Sequence, residues 1–420
     1  MESSKRLKNI FKELQSSTSK KTTKLSNLKI EKSLDSNNPI VVKGLSAIIL
    51  QGVEKGASDI HIEPLKNKTR VRYRIDGILY TKEHFDISLH PSFISRLKII
   101  SNLDITEHRV PQDGKFKFEI KNMTIDFRVS IVPLITGEKA VIRILNKDIV
   151  DFDLENLGFS EFEYKEILKL INKKNGIILA SGPTGSGKTS LIYSILKKLN
   201  TPKLNISTVE DPVEYEIEGI NQVQFVSGSL DFSTILKSYL RQDPDVLMIG
   251  EIRDYDTAEI AIKAALTGHL VLSTIHTNDA VSGIYRLLNI GIEPYMISAG
   301  VIGIIAQRLV RKLCPHCKKE DDKWAGKLSF MGLDPNDYTK FQFYTGTGCK
   351  HCNNSGYTGR TPLFQIFVID NNIRDMIDKR ESIHRIREYC TQNNLHELKE
   401  VGIKKAIQGI TSLDELIRQC

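Results

Sequence analysis

The sequence lacks a long apolar run. Its longest weakly polar stretch, residues 297–306 (ISAGVIGIIA), ends far short of the roughly 18 apolar residues that a membrane-spanning helix needs. The N-terminus, MESSKRLKNIFKELQ, also has no apolar core of the kind found in secretory signals. We therefore expect no membrane helix and a cytoplasmic protein, in a compartment that keeps thiols reduced.

A large excess of one charge is also missing from most of the chain. Residues 1–43 hold ten Lys/Arg and four Asp/Glu, so six of the eight net positive charges lie there. The near balance elsewhere argues against a nucleic-acid-binding core. A basic, Ser/Thr/Asn-rich arm over residues 1–38 is typical of a solvated, flexible tail, and contact with anionic lipid or an acidic partner is the alternative.

One stretch, residues 176–190 (GIILASGPTGSGKTS), carries a phosphate-binding pattern. An apolar strand run precedes a glycine-rich turn that fits G-x-x-x-x-G-K-[ST], and a helical apolar face follows. Glycines let backbone N–H groups point at phosphate oxygens at a helix N-terminus. We expect Lys188 to reach the phosphates of a nucleoside triphosphate and the Thr189 hydroxyl to bind Mg²⁺. The residues expected around the nucleotide are Gly182, Pro183, Thr184, Gly185, Ser186, Gly187, Lys188, Thr189 and Ser190.

Carboxylates follow two further apolar strands, and in an open α/β sheet the carboxyl ends of the strands face the ligand crevice. Glu251 follows the second of these strands in a Walker B pattern, where a carboxylate polarises the attacking water, and it is our candidate base. Because Gly250-Glu251 replaces the usual aspartate, we expect Glu251 to act through water rather than on the metal. The carboxylates after the first strand are candidates to bind Mg²⁺ or to orient water, and ordinary acidic turn residues beside a proline are the alternative interpretation. These carboxylates are Glu210, Asp211 and Glu214.

Two histidines flank the next apolar strand, residues 270–275. His276, at the end of this strand, is a candidate sensor of the γ-phosphate. A structural role is the alternative for His276 and for His269. Four strand-plus-helix units follow one another from residue 176, which predicts a parallel sheet of the RecA-like P-loop type.

Residues 39–147 predict a small α+β domain, because helical spacing is followed by alternating strand patterns such as RVRYRIDGIL. Arg128 and Arg143 lie on two of these strands. They are either ordinary surface charges or groups that reach phosphates in a neighbouring subunit, since P-loop enzymes commonly need an arginine to neutralise charge in the transition state.

Two C-x-x-C pairs lie 31 residues apart near the C-terminal third of the chain. Four thiolates suit a tetrahedral structural Zn²⁺. A redox dithiol, which needs only one pair, is the rival interpretation. His316 and His351 lie inside the pairs as possible substitute ligands, but four cysteines are sufficient. The expected ligands are Cys314, Cys317, Cys349 and Cys352.

Taken together, several motifs resemble those of the GspE/PilB branch of the type II secretion and type IV pilus assembly ATPases. The resemblance covers the chain from about Pro39 to the C-terminus. The motifs are GASDIHIEP, RYRIDG, PQDGKF, GPTGSGKTS, STVEDPVEY, LRQDPDVLMIGEIRD, ALTGHLVLSTIHTNDA and CPHC with CKHC and GYTGR.

The resemblance implies an α/β fold in which a small α+β (PAS-like) domain precedes a RecA-like P-loop ATPase domain with a zinc-binding insertion and C-terminal helices. It implies a homo-hexamer that hydrolyses ATP with Mg²⁺, docks on an inner-membrane platform protein, and drives assembly of pilins or pseudopilins. Membrane association is then peripheral and through partners, without direct nucleic-acid contact. The acidic, histidine and arginine positions of the family correspond to Glu210, Asp211, Glu214, His276, Arg128 and Arg143.

The expected domains follow the motif order. They are a basic flexible arm (1–38), the α+β domain (39–147), a linker (148–158), the RecA-like core (159–312), the tetracysteine subdomain (313–362) and the C-terminal helical region (363–420).

Two features depart from the family pattern. Family members usually carry a further domain before the ASDIH region, where this chain has the basic arm. Gln365 replaces an acidic residue that usually follows the GYTGR motif. The cysteine quartet favours the assembly branch over the retraction branch. Other function classes are a DNA-translocating or conjugation-type ATPase, which would show basic pore residues, and a scaffold that binds ATP without turnover.

Overall fold

The computed structural model describes residues 39–120, 123–145, 153–225, 231–393 and 395–419. The chain divides into two compact units, Met1–Val150 and Asp151–Cys420. The predicted basic arm, the first part of the predicted linker (148–152) and Cys420 lie outside the described residues. In the helices of the described ranges, no segment combines the length and apolar character required to cross a bilayer.

The first unit contains an antiparallel sheet of six described strands in the order β3-β2-β1-β6-β5-β4. Alternating burial along β2, where Val71 and Tyr73 are buried between partly exposed arginines, shows that one face packs inward and the other faces out. The strands are β1 (Asp59–Pro64), β2 (Lys68–Ile75), β3 (Ile78–Asp86), β4 (Gln112–Ile120), β5 (Met123–Leu134) and β6 (Gly137–Leu145).

Two helices cover the inward face of this sheet, α1 (Pro39–Glu54) and α2 (His90–Ile100). The buried core includes Phe93 and aliphatic residues of both helices and of the inward strand positions. The Tyr73 hydroxyl donates a hydrogen bond to the carbonyl of Ile48, 3.0 Å away, and so ties β2 to α1. The opposite face of the sheet carries mainly charged side chains.

The second unit contains a sheet of seven described strands in the order β15-β12-β7-β11-β10-β8-β9. Its central strands pair in parallel, and β7 and β11 are buried along their whole length, as expected for a sheet covered on both faces. The strands are β7 (Gly176–Ser181), β8 (Ile206–Glu210), β9 (Asn221–Gln224), β10 (Val246–Ile249), β11 (Leu270–Ile275), β12 (Val301–Leu313) and β15 (Tyr357–Val368).

Helices pack on both faces of the second sheet. The first begins with a capping box, in which the Ser160 side chain accepts from the Glu163 amide and the Glu163 carboxylate accepts from the Ser160 amide. The helices are α3 (Glu161–Ile171), α4 (Lys188–Leu199), α5 (Phe232–Tyr239), α6 (Tyr255–Leu266), α7 (Val281–Ile290), α8 (Pro294–Gly300), α9 (Trp324–Phe330), α10 (Asn371–Asp378), α11 (Ile383–Gln392), α12 (Leu398–Ile407) and α13 (Leu413–Gln419).

The C-terminal end of the chain is tied to the sheet by buried ion pairs. The Glu415 carboxylate, fully buried on α13, accepts hydrogen bonds from the guanidinium groups of Arg311 on β12 and Arg418. Burial alone raises the pKa of Glu415, but these hydrogen bonds and the Arg311 charge lower it by more. The last helices are therefore part of the second unit's core.

Two features of the second sheet differ from the sequence pattern. Strand β15 crosses the expected boundary at residue 362 and pairs antiparallel with β12, so the end of the cysteine region and the main sheet share one strand. The apolar run 297–306 is divided between the end of α8 and the start of β12. Both differences arise from pairing between distant segments, which local patterns do not reveal.

Candidate nucleotide and metal sites

The glycine-rich loop connects the buried strand β7 to helix α4, as the sequence predicts. The Lys188 ammonium, at the first residue of α4, donates to the carbonyls of Gly182 (2.7 Å) and Pro183 (3.0 Å). Burial and the nearby Arg308 charge lower the pKa of Lys188 to about 8. The lysine is thus held inside the loop, at the place where it can exchange two carbonyl partners for phosphate oxygens.

Gly187 is required by both its backbone and its surroundings. Its φ is +95°, and an added Cβ would lie 2.6 Å from Nε2 of Gln307. Gln307, on β12, is buried, and its Oε1 has no hydrogen-bond partner among the described residues. The Gln307 side chain of β12 therefore packs directly against the loop at Gly187.

A cleft of about 640 Å³ lies in front of the loop. The same unit has an apolar cavity of about 790 Å³ between α3, β15 and α12, but no residue of the loop lines it. The cleft of about 640 Å³ is the candidate nucleotide site, because the predicted loop residues and acids line it. Of the predicted site residues, those lining it are Thr184, Gly185, Gly187, Lys188, Thr189, Ser190, Glu210, Asp211, Glu214, Glu251 and His276.

Glu210 is the most deeply placed of the acids and is only 3% exposed. One carboxylate oxygen accepts from the Tyr193 hydroxyl at 2.5 Å, and the other accepts from Thr208 (2.7 Å) and Gln222 (3.2 Å). The Tyr193 hydroxyl also accepts from the amide of Glu214 at 3.2 Å. Tyr193 lies on α4, so this hydroxyl connects the helix of the phosphate loop to the acidic segment, residues 210–214.

Glu251 lies at the end of β10, with its side chain 22% exposed. One oxygen lies 3.2 Å from Nε2 of His276, and the other contacts Nε of Arg253. Burial, followed by the charges of Lys188 and Arg253, lowers the pKa of His276 below its ordinary value of 6.5. The lowered pKa favours the uncharged imidazole, which can donate one N–H to the carboxylate.

The loop that carries His276 is held from several sides. The hydroxyls of Ser181 on β7 and Thr277 lie 2.5 Å apart. Arg387, on α11, donates to the Asp279 carboxylate at 2.8 Å. His269, in contrast, places Nδ1 2.8 Å from the carbonyl of Ala264 at the end of α6, where it closes the helix terminus.

Sequence reasoning did not single out several residues of the cleft or its loops. Tyr193 and Gln307 are members of apolar helix and strand patterns, so no local signal marked them. Arg253 and Arg360 lie in the GEIRD and GYTGR motifs, where the local pattern does not indicate a position in the cleft. Both arginines line the cleft, and Arg360 is brought there by the pairing of β15 with β12.

Arg128 and Arg143 belong to the first unit, where they are direct partners across β5 and β6. Directly opposite residues in an antiparallel pair project from the same face. Both side chains therefore lie on the outward, charged face of that sheet.

The four predicted cysteines converge in the second unit. The Sγ atoms of Cys314, Cys317, Cys349 and Cys352 all lie within 4.8 Å of one another, next to the short strands β13 (Lys318–Glu320) and β14 (Tyr344–Gly346). Three of the six sulfur–sulfur distances are 3.7 to 3.8 Å, and the four thiols are free. This grouping brings all four thiols together, whereas a redox dithiol would need only one pair.

The cysteine cluster fits a tetrahedral zinc ion. The amides of Cys349 (3.1 Å) and Gly356 (3.2 Å) donate to Sγ of Cys352. Burial alone raises the pKa of Cys352, but hydrogen bonds with the backbone at Cys349 and Gly356, together with those to the neighbouring thiols, outweigh it and lower this pKa to about 6. Amide donation of this kind stabilises the thiolate form that a metal requires. His316 and His351 instead stack on each other, with ring centroids 4.0 Å apart.

Comparison with known proteins identifies the family of this chain. Residues 34–418 match the model of the family described as type II/IV secretion system protein. The type IV pilus assembly ATPase PilB of Myxococcus xanthus is 43% identical over 380 residues, which is 90% of this chain and 67% of that protein. The type II secretion system ATPase E of Vibrio cholerae is 42% identical over 382 residues, which is 90% of this chain and 75% of that protein.

The chain spans about two thirds or less of the length of several pilus relatives that it matches. Among solved structures, the pilus retraction motor PilT with bound ADP is similar, with a TM-score of 0.62 and 26% identity over 88% of this chain and 95% of that chain. The fold is therefore the α/β fold of this ATPase group. Since the family match extends from before the first described helix into the last one, the chain belongs to the type II/IV secretion system protein family and is of the GspE/PilB type.

Proposed function

We propose that the protein is a cytoplasmic ATPase whose ATP hydrolysis drives assembly of pilin-like subunits in a type II secretion, type IV pilus or DNA-uptake system. It works as a homo-hexamer and attaches peripherally to the inner membrane through a platform protein. The observation that carries the proposal is the convergence of Lys188, Glu251 and His276 on one cleft. The names of the relatives support the coupling to pilus or secretion machinery.

In this proposal Lys188 exchanges the carbonyls of Gly182 and Pro183 for the β- and γ-phosphates. Its position at the first residue of α4 adds the N-terminal helix dipole to its own charge. Thr189 would hold Mg²⁺, which neutralises phosphate charge when bound. The short bond between Tyr193 and Glu210 keeps the acidic segment in place beside these groups.

Glu251 is the proposed base. Its carboxylate points into the cleft beside His276, and the neutral imidazole orients it without competing for a proton. Arg253 holds the other carboxylate oxygen. A water between Glu251 and the γ-phosphate would then lose a proton to the carboxylate as it attacks.

Arg128 and Arg143 are proposed to reach the nucleotide of a neighbouring subunit and to neutralise the charge that develops on the γ-phosphate. Release of phosphate removes the group that the arginines bind. A rigid-body movement of the first unit then becomes the work stroke.

We also propose that the cysteine cluster binds structural zinc and that the six-stranded first unit is PAS-like. The expected domain boundaries stand as working divisions, apart from the strand that crosses residue 362.

The test is Mg²⁺-dependent phosphate release by the purified chain, compared with Glu251→Gln. The variant should bind ATP as the parent does yet lose most turnover, because the amide cannot accept the proton. Glu259→Gln is the matched control, since Glu259 pairs with Lys263 on α6 and lies outside the cleft lining. Turnover by Glu251→Gln at the parent rate would show that the base is assigned wrongly.

Two added conditions distinguish the other function classes. Stimulation of phosphate release by DNA, but not by the cytoplasmic part of a platform protein, would indicate a DNA-translocating or conjugation-type ATPase. ATP binding without phosphate release in either condition would indicate a nucleotide-gated scaffold.

A further inference from the structure

One transverse row of side chains on the outward face of the first unit's sheet is unusually basic. The strand register places Lys115 opposite Arg128, and Arg128 opposite Arg143. It then places Arg143 opposite Asp59, and Asp59 opposite Arg74. Directly opposite residues share a face of an antiparallel sheet, so this basic row contains four cations and one carboxylate.

The neighbouring row on the same face has no such excess. It contains Asp113, Ser130, Val141, His61 and Arg72, with one acid and one arginine. His61 is 8% exposed, and neither ring nitrogen has a hydrogen-bond partner among the described residues. The positive charge is thus concentrated in the row that contains Arg128 and Arg143. The buried imidazole of His61 lies in the row beside it, without a hydrogen-bond partner among the described residues.

Cations on adjacent strands, with backbones about 5 Å apart, repel one another. Lys115 is exposed and makes no ion pair or side-chain hydrogen bond within the described parts of the chain. Lys117, two residues along the same strand and on the same face, is paired with Asp126 at 3.6 Å. An unneutralised cation beside two arginines is the arrangement that a chain of phosphates would complement.

Asp59 contacts two arginines of the basic row, Arg143 and Arg74, whose Nε lies 3.6 Å from the carboxylate. It is 7% exposed and accepts hydrogen bonds from Nε of Arg143 (3.1 Å) and from the Ser58 hydroxyl (2.8 Å). The Arg143 side chain is 57% exposed. Because a guanidinium is a rigid planar fork, engagement of Nε directs its two terminal nitrogens to a second acceptor.

We propose that Lys115, Arg128 and Arg143 form one binding row for the phosphates of a nucleoside triphosphate. Lys115 is a third phosphate-contacting cation, and Asp59 is a positioning residue that aligns Arg143. This inference rests on the proposed function, in which the two arginines contact a nucleotide.

The experiment measures kcat and KM for ATP in the full chain. Lys115→Ala should lower kcat about tenfold, since a charge-assisted contact to phosphate is lost, and Lys115→Arg should restore most of it. Asp59→Asn should lower kcat with little change in KM, because binding by the loop is unaffected. Lys117→Ala is the matched control and should behave as the parent. Melting temperatures of all variants show whether each one folds.

Different results would refute the proposed function and this inference. Parent turnover by Arg143→Ala would refute the proposed role of the arginines themselves. If Arg143→Ala loses turnover while Lys115→Ala has the same kcat as the control Lys117→Ala, Lys115 does not contact the phosphates. A folded Asp59→Asn variant with the parent kcat would overturn the positioning role of Asp59. Lys115 is exposed, so its variants test the inference even if Asp59→Asn fails to fold.

Discussion

Tyr193→Phe removes a single oxygen atom from the junction between the phosphate-loop helix and the acidic segment. That oxygen donates to the buried Glu210 carboxylate at 2.5 Å and accepts from the Glu214 amide at 3.2 Å. The ring stays in place, so core packing is preserved. The change therefore isolates the two hydrogen bonds.

The expected decrease in the free energy of unfolding follows from the type of hydrogen bond that is lost. A hydrogen bond to a charged group contributes about 1.5 to 3 kcal/mol, and loss of a partner leaves a buried carboxylate less well solvated. We expect the free energy of unfolding of the second unit to fall by about 2 to 3 kcal/mol. For a unit of this size, that corresponds to a decrease in melting temperature of roughly 4 to 12 °C.

Thermal unfolding followed by circular dichroism, together with phosphate release, is the assay. Tyr164→Phe is the matched control, because the Tyr164 hydroxyl donates to the exposed Glu155 carboxylate at 2.9 Å. Exposed pairs contribute little, so this control should melt within about 1 °C of the parent. Turnover of Tyr193→Phe should fall while ATP still binds. A variant that melts and turns over like the parent would refute the role assigned to the hydroxyl.

Three further predictions concern other parts of the second unit. Glu415→Gln should destabilise the protein at neutral pH. Because the folded pKa of Glu415 lies below its ordinary value of 4.5, its stabilisation is present above that pH and disappears as the pH falls through the folded pKa. Urea unfolding at several pH values checks this, and a difference from the parent that persists at low pH would contradict it. Removal of zinc by a chelator should lower the melting temperature, and Cys317→Ser should lower both the melting temperature and the zinc content measured by atomic absorption. Cys390→Ser, outside the cluster, should not change the zinc content. Equal zinc content in parent and Cys317→Ser would count against the site. The pKa of Lys188 is about 8 without nucleotide, so the affinity for ATP, measured by calorimetry, should fall above that pH by at most about tenfold per pH unit. An affinity that stays unchanged up to about pH 9.5 would exclude this role of the lysine charge.

The parts of the site that the sequence predicts best are those built from consecutive residues. The loop of residues 182–189 follows a buried strand and begins a helix, so its conformation is encoded locally. The four cysteines were also predictable, because tetrahedral thiolate sites need two paired ligands in a short turn. In both cases one stretch of chain contains the chemical groups and the geometry that holds them.

Other features depend on segments that meet only after folding. Glu210 lies in an acidic turn pattern, but its burial depends on Tyr193 and Gln222, which belong to a helix and an edge strand. Arg360 reaches the cleft because β15 pairs with β12 across the whole cysteine region. The concentration of charge beside Arg143 depends on the register of five strands. Local periodicity contains no information on such pairings.

The most direct test of the central claim is phosphate release from ATP by the purified full chain with Mg²⁺, measured beside Lys188→Ala. The account predicts steady release by the parent and none above background by the variant. Release at the same rate by both proteins, or by neither, would contradict it.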